Sequence, residues 1–192
     1  MSRWKSGIES INAVANKSKN SIEDFFEAKN YQPKNDEEEQ VFEEFSLVIN
    51  SMAILIYIAN VDKIPNLEEK EQIVNQITFQ LQQRPYEFDR LSEKFGSSEK
   101  EIILNIYDEI LENYKTKKID LDKIIDDICL VYKNNPEKSY YLIRLSYFVA
   151  LADHELNEVE KEAIQSIADE LQIPREELKR IEKEVRSEVR RG

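Results

Sequence analysis

The chain has 192 residues, 34% of them charged and 41% hydrophobic, with only 3 Gly and 5 Pro. That length suits one sizeable domain with an appendage, and the scarcity of turn residues excludes a many-stranded sheet and any glycine-rich phosphate cradle of the Rossmann or P-loop kind. Net charge of −12 argues against a nucleic-acid partner, while a single Cys and a single His exclude an internal disulfide and a structural zinc site.

The charge is unevenly spread. Residues 1–20 hold Arg3, Lys5, Lys17 and Lys19 against Glu9, and residues 175–192 hold seven basic against five acidic groups, so the body 21–174 carries 16 basic against 33 acidic. The opening MSRWKSGIESINAVANKSKN lacks the 7–15-residue apolar core of a secretory signal, which makes a cytoplasmic protein the expectation. Residues 1–35 read as an arm: Ile8, Ile11, Val14, Ile22, Phe25 and Phe26 have loose helical spacing, and the linker-like YQPKNDEEE follows. Trp4, beside Lys5, is expected to dock on the body, with a peripheral membrane contact through the arm or a partner as the other uses.

A long helix is predicted from the acidic run Asp36–Gln40 through Val41, Phe42, Phe45 and Leu55 to about Asn60. Its most apolar part, Leu47–Ala59, includes Asn50 and Ser51 and is too short to span a bilayer, so it reads as a central buried helix. Asn66–Gln83 is the next helix, followed by a shorter one over Tyr86–Phe95 that Gly96 ends. Ser97 or Ser98 then caps a helix striped with Ile102, Ile103, Ile106, Ile110, Leu111 and Tyr114. Asp120 caps another carrying Ile124, Ile125, Ile128 and Tyr132, and the Asn-Asn-Pro at 134–136 breaks it. Three more are predicted over Glu137–Asp153, Asn157–Leu171 and from Pro174 onward. No segment alternates with the period of a strand.

Two stretches of the chain resemble each other. Residues 59–73 align without gaps with residues 150–164, at an offset of 91, and Ala59, Asp62, Asn66, Glu69, Lys70, Glu71 and Ile73 are matched by Ala150, Asp153, Asn157, Glu160, Lys161, Glu162 and Ile164. Each copy is an apolar helix, an Asp-containing turn and a helix opening on Asn and Glu. The predicted architecture is therefore a single all-α domain over 36–192, of about seven or eight helices, built from two facing halves at about 41–95 and 137–189.

Residues 148–173, FVALADHELNEVEKEAIQSIADELQI, resemble the turn and following helix of TerB-like domains, the all-helical family named for bacterial tellurite resistance and found also beside DjlA-type co-chaperones. The family pattern is an apolar helix ending in Ala-Asp-Gly, then Glu, an apolar residue, a cap and Glu-Glu. Here it runs Ala152, Asp153, His154, Glu155, Leu156, Asn157, Glu158, Val159, Glu160, with His154 where the family usually has Gly. The resemblance covers about residues 40–185. It implies a helical, non-catalytic protein of tellurite resistance and stress response, and a divalent cation held by acidic residues.

Asp153, Glu155, Asn157 and Glu160, with Asp62, Asn66 and Glu69 opposite, are the candidate ligands, because their hard oxygens suit Ca²⁺ or Mg²⁺. Neither turn is an EF-hand: counted from Asp153, position 6 is Glu158 and position 12 is Ile164. A second reading needs no metal. Asn157 with Glu160, and Asn66 with Glu69, have the spacing of a capping box. Asp62 and Asp153, at the negative ends of their helices, then take their compensation from amides at the start of the next helix.

Other chemistries fall away. A di-iron bundle needs Glu-x-x-His pairs, and Leu151 lies three residues before the only His. Cys129 shares a face with Ile125 and Tyr132 and reads as a buried thiol, and Tyr140, Tyr141, Tyr147 and Phe148 read as core. The functional expectation is a non-enzymatic protein with a cation at its acidic turns and an unidentified protein partner. Its alternative is a metal-independent acidic adaptor in a chaperone- or membrane-associated complex.

Overall fold

The computed structural model describes residues 35–62, 66–82, 98–116, 121–132, 134–153 and 155–191. The arm at 1–34, the helix expected over 86–95, and the Asp120 cap lie outside the described residues. Seven helices and no strand occur within them: α1 (Asp36–Asn60), α2 (Leu67–Gln82), α3 (Glu99–Lys115), α4 (Leu121–Tyr132), α5 (Pro136–Ala150), α6 (Glu158–Glu170) and α7 (Arg175–Val189).

The centre is the second half of α1. Ile49, Met52, Ala53, Ile54, Leu55, Ile56 and Ile58 are all buried, covering every side of the helix rather than one stripe, which is the pattern of a helix wrapped by others. It packs against α2, α3, α4, α5 and α6. Each fully buried Ile or Leu here contributes about 1.5–3 kcal/mol relative to exposure, so this segment is the main source of the fold's stability.

The surrounding helices are amphipathic and present the stripes that the sequence predicts. α2 buries Ile73, Val74, Ile77 and Leu81, and α3 buries Ile102, Ile103, Ile106, Tyr107 and Ile110. The start of α3 is closed by Ser98, whose N–H donates to the Glu101 carboxylate at 3.3 Å. α4 buries Ile124, Ile128, Cys129 and Tyr132, and a hydroxyl contact between Tyr132 and Ser51 of 3.1 Å ties it to α1. Burial lifts the Cys129 thiol to about 12, with Glu170 and Asp126 adding to the rise, which keeps it protonated and unreactive.

Asn135 caps α5 through the Lys138 N–H at 3.2 Å, with Pro136 as first helical residue. α5 ends at Ala150, and residues 151–153 form a turn. Tyr147 is buried and Tyr140 and Phe148 are half-buried, but Tyr141 is exposed, which corrects the expectation that all four are core. Its ring is partly in solvent while its hydroxyl meets Gln80 of α2.

α6 ends in a left-handed cap without glycine: Gln172 has φ 58°. The Ile173 N–H donates to Ala168 O at 2.9 Å and the Gln172 N–H to Asp169 O at 3.0 Å, the two bonds of a Schellman motif, with buried Ile173 as its apolar contact. α7 then packs on α5 by burying Leu178, Ile181 and Val185. Arg144 on α5 reinforces this contact, reaching Glu188 at 2.6 Å and Glu184 at 3.7 Å. No helix among the described residues is long and apolar enough to cross a membrane.

Candidate functional site

The turns that follow α1 and α5 cross one another, and each supplies the other's polar partner. Asn157 Nδ2 donates to Asp62 Oδ2 at 2.8 Å, and Asn66 Nδ2 donates to Asp153 Oδ2 at 2.9 Å. The two bonds join residues 95 and 87 positions apart, and each links an Asn of one aligned stretch to the Asp of the other. Asp153 also accepts from the Glu155 N–H at 2.9 Å through Oδ1. Both Asp therefore lie at the negative end of a helix and are compensated by amide hydrogens. The sequence reading expected amides for this role but placed them on each Asp's own following helix; the crossing supplies them from the opposite turn as well.

The two Asn play unequal second roles. Asn157 Oδ1 accepts from the Glu160 N–H at 2.9 Å, and the Asn157 N–H donates to Glu160 Oε2 at 3.0 Å, completing the expected capping box. Asn66 Oδ1 accepts instead from the Glu68 N–H at 2.9 Å, one residue short of the box, and the Glu69 carboxyl meets Glu160.

At the centre of the crossing, Glu69 and Glu160 are 4% and 3% exposed. Glu69 is pushed up to about 9, first by burial, then by its hydrogen bond to Glu160 and by the charges of Glu160, Asp153 and Asp62. Glu160 is also raised, mainly by burial, but its bonds from Asn157 and Glu69 oppose the rise. Two buried carboxylates in contact cannot both ionise. The consistent assignment at neutral pH is a protonated Glu69 donating to an ionised Glu160, which also holds the Asn157 N–H.

No Lys or Arg among the described residues pairs with Glu69 or Glu160. The two lysines that follow the central glutamates turn elsewhere: Lys70 Nζ pairs with Asp108 at 2.7 Å and lies 5.0 Å from the centroid of the Tyr107 ring, and Lys161 approaches Glu158 at 3.8 Å. Lys63 and His154, the residues after the two Asp, lie outside the described residues. At the rim stand two exposed apolar side chains, Leu67 at 76% and Val159 at 47% exposure, in the first turns of α2 and α6.

Of the seven candidate ligands, Asp62, Asn66, Glu69, Asp153, Asn157 and Glu160 meet at the crossing. Glu155 joins only through its backbone; its side chain is exposed and is not among the charges acting on the central pair. As placed, no three His, Cys, Asp or Glu side chains among the described residues form a group that could hold a metal ion. The donor set is nonetheless all oxygen and acidic, which suits Ca²⁺ or Mg²⁺ and no softer metal.

Sequence alone sets Glu69 opposite Glu160 but does not show that the two carboxyls are buried in contact. A signal for the burial was present: Glu69, Ile73 and Ile77 stand at i, i+4 and i+8, as do Glu160, Ile164 and Ala168, so both carboxyls begin a buried stripe. A family model described as "Tellurite resistance protein TerB" matches residues 48–183. No curated protein and no solved structure matches the chain.

Proposed function

The chain belongs to the TerB family of tellurite resistance proteins, and on that premise we propose that it serves tellurite resistance and stress response without catalysis, by taking up a divalent cation, Ca²⁺ or Mg²⁺, at the crossing of its acidic turns. The observation that carries this reading is the buried contact between Glu69 and Glu160, on which no Lys or Arg acts among the described residues and which the charges of Asp62 and Asp153 reach. A proton on Glu69 relieves the repulsion at neutral pH. A hard dication does the same with more charge, and it would hold the pair's oxygens together with those of the flanking Asp.

Uptake by this route replaces the Glu69 proton, so affinity rises with pH toward about 9 and binding releases a proton. Calorimetric titration of Ca²⁺ and Mg²⁺, repeated in buffers of different ionisation enthalpy, reads both quantities. The expected result is saturable binding, release of about one proton per ion near neutral pH, and an affinity about tenfold lower in Asp153→Ala. No heat at millimolar metal would reject the cation.

The second reading is the metal-independent adaptor, favoured by the exposed Leu67 and Val159 beside the acidic turns. There the proton-bridged pair is a purely structural clasp and the rim receives a partner. Under this reading Leu67→Ser with Val159→Ser abolishes partner capture and leaves metal titration silent.

A further inference from the structure

α7 is neutral as a whole, with five basic and five acidic residues, but its charges are sorted by face. Its residues divide into three stripes. Leu178, Ile181 and Val185 are buried against the core, and Glu177, Glu184 and Glu188 are engaged by Arg180 and Arg144. The third stripe is basic: Lys179, Lys183, Arg186 and Arg190 follow one another at intervals of four, three and four, the spacing of a single helix face. These four stand in line along one side of α7 and its C-terminal end. Arg186 is held by Glu182 at 2.9 Å, whereas Lys179, Lys183 and Arg190 are exposed and have no carboxylate partner among the described residues.

A complementary stripe lies on another helix of the same chain. The outer face of α3 carries Glu101, Asp108 and Glu112, all exposed, with Glu109 beside them. Their intervals are seven and four. Read in the opposite direction this is four and seven, which is the spacing of Lys179, Lys183 and Arg190. At about 1.5 Å per residue both rows are about 16 Å long. α3 packs on α1 and α2, while α7 packs on α5; within the acidic row Asp108 is also held by Lys70 of α2 and Glu101 by the Ser98 N–H, whereas Glu112 is exposed.

We propose that the basic stripe of α7 docks antiparallel on the acidic stripe of α3 in a second copy of this chain, placing Lys179, Lys183 and Arg190 opposite the second copy's Glu112, Asp108 and Glu101. A two-fold arrangement makes this contact twice and closes the assembly. Charge complementarity selects this occupant. A nucleic acid or an anionic lipid surface would meet the same basic stripe but would also meet a body that is strongly acidic, whereas a second copy brings a matched acidic row. The stripe holds no aromatic or large apolar anchor, so the contact is electrostatic and reversible, and its strength follows ionic strength.

The test is sedimentation velocity of the full chain at about 0.01 M and about 0.15 M salt, where the screening length falls from about 30 to about 8 Å. A dimer at low salt that dissociates at the higher salt is expected. Lys179→Glu with Arg190→Glu, and separately Glu112→Lys with Glu101→Lys, should each leave only monomer at low salt. An equimolar mixture of the two variants should restore a 1:1 dimer, because the reversed charges then meet at both exchanged positions while Lys183 keeps Asp108 opposite it. Monomer at low salt in the unsubstituted chain overturns the proposal, as does failure of the mixed variants to associate while each remains helical by circular dichroism. Co-sedimentation with phosphatidylserine vesicles by a chain that stays monomeric alone overturns it too, in favour of a lipid surface.

Discussion

Asn66 and Asn157 stand at matching positions of the two aligned stretches, each three residues before a buried glutamate, yet they leave those glutamates in different chemical states. Asn157 binds Glu160 on both sides of a capping box, which gives the Glu160 carboxylate a backbone hydrogen and favours its charge. Asn66 caps through Glu68, so Glu69 has no such hydrogen and keeps its proton. The difference shows that equal sequence does not compel equal chemistry. A contacting pair of buried acids shares one proton, and a single amide hydrogen decides which member carries it.

The largest test of this asymmetry is removal of the charged member. Glu160→Ala discards the cap bond and the acceptor of the Glu69 proton, and is expected to lower unfolding free energy by about 4 kcal/mol in urea denaturation. Glu69→Ala, which removes no cap, should cost about half as much.

A second test uses pH. Below 4.5 Glu69 is protonated both folded and unfolded; between 4.5 and about 9 only the folded state holds the proton. The stabilisation is therefore fully present in acid and is lost as pH rises, by up to about 1.4 kcal/mol per unit within that window. Glu69→Gln keeps a donor without a titratable group and should flatten this slope in denaturation curves measured from pH 5 to 9. An unchanged slope would assign the proton elsewhere.

The smallest test compares the two caps. Asn157→Ala loses both the capping box and the bond to Asp62, whereas Asn66→Ala loses a weaker cap and the bond to Asp153; the first should be more destabilising by about 1 kcal/mol in thermal unfolding. Equal effects would mean that the two turns are energetically alike.

Much of the fold was legible because amphipathic helices announce themselves by spacing. The stripes from Ile102 to Ile110 and from Leu178 to Val185, the Asn157–Glu160 box and the central role of residues 47–59 all follow from local sequence and are present. The candidate site was legible in membership but not in arrangement. Asp62, Asn66, Glu69, Asp153, Asn157 and Glu160 were all identified, yet pairing across about 90 residues leaves no mark in spacing. Capping, a local property, was assigned equally to both copies, whereas contact between Glu69 and Glu160 made the outcomes differ. Tyr141 departs from the expectation for a related reason: its hydroxyl meets Gln80 of α2, a contact distant along the chain that local spacing does not show.

The crossing also has a history in time. Asp62 and Asn66 leave the ribosome about 90 residues ahead of their partners Asn157 and Asp153, an interval of roughly 5–20 s at ordinary rates of synthesis. Until α6 arrives, the Glu69 carboxyl faces water and is ionised at neutral pH. Closing the crossing buries it and draws a proton from the medium, so this step of assembly is coupled to a protonation, and the pH of the compartment in which the chain is made helps set how readily the crossing closes.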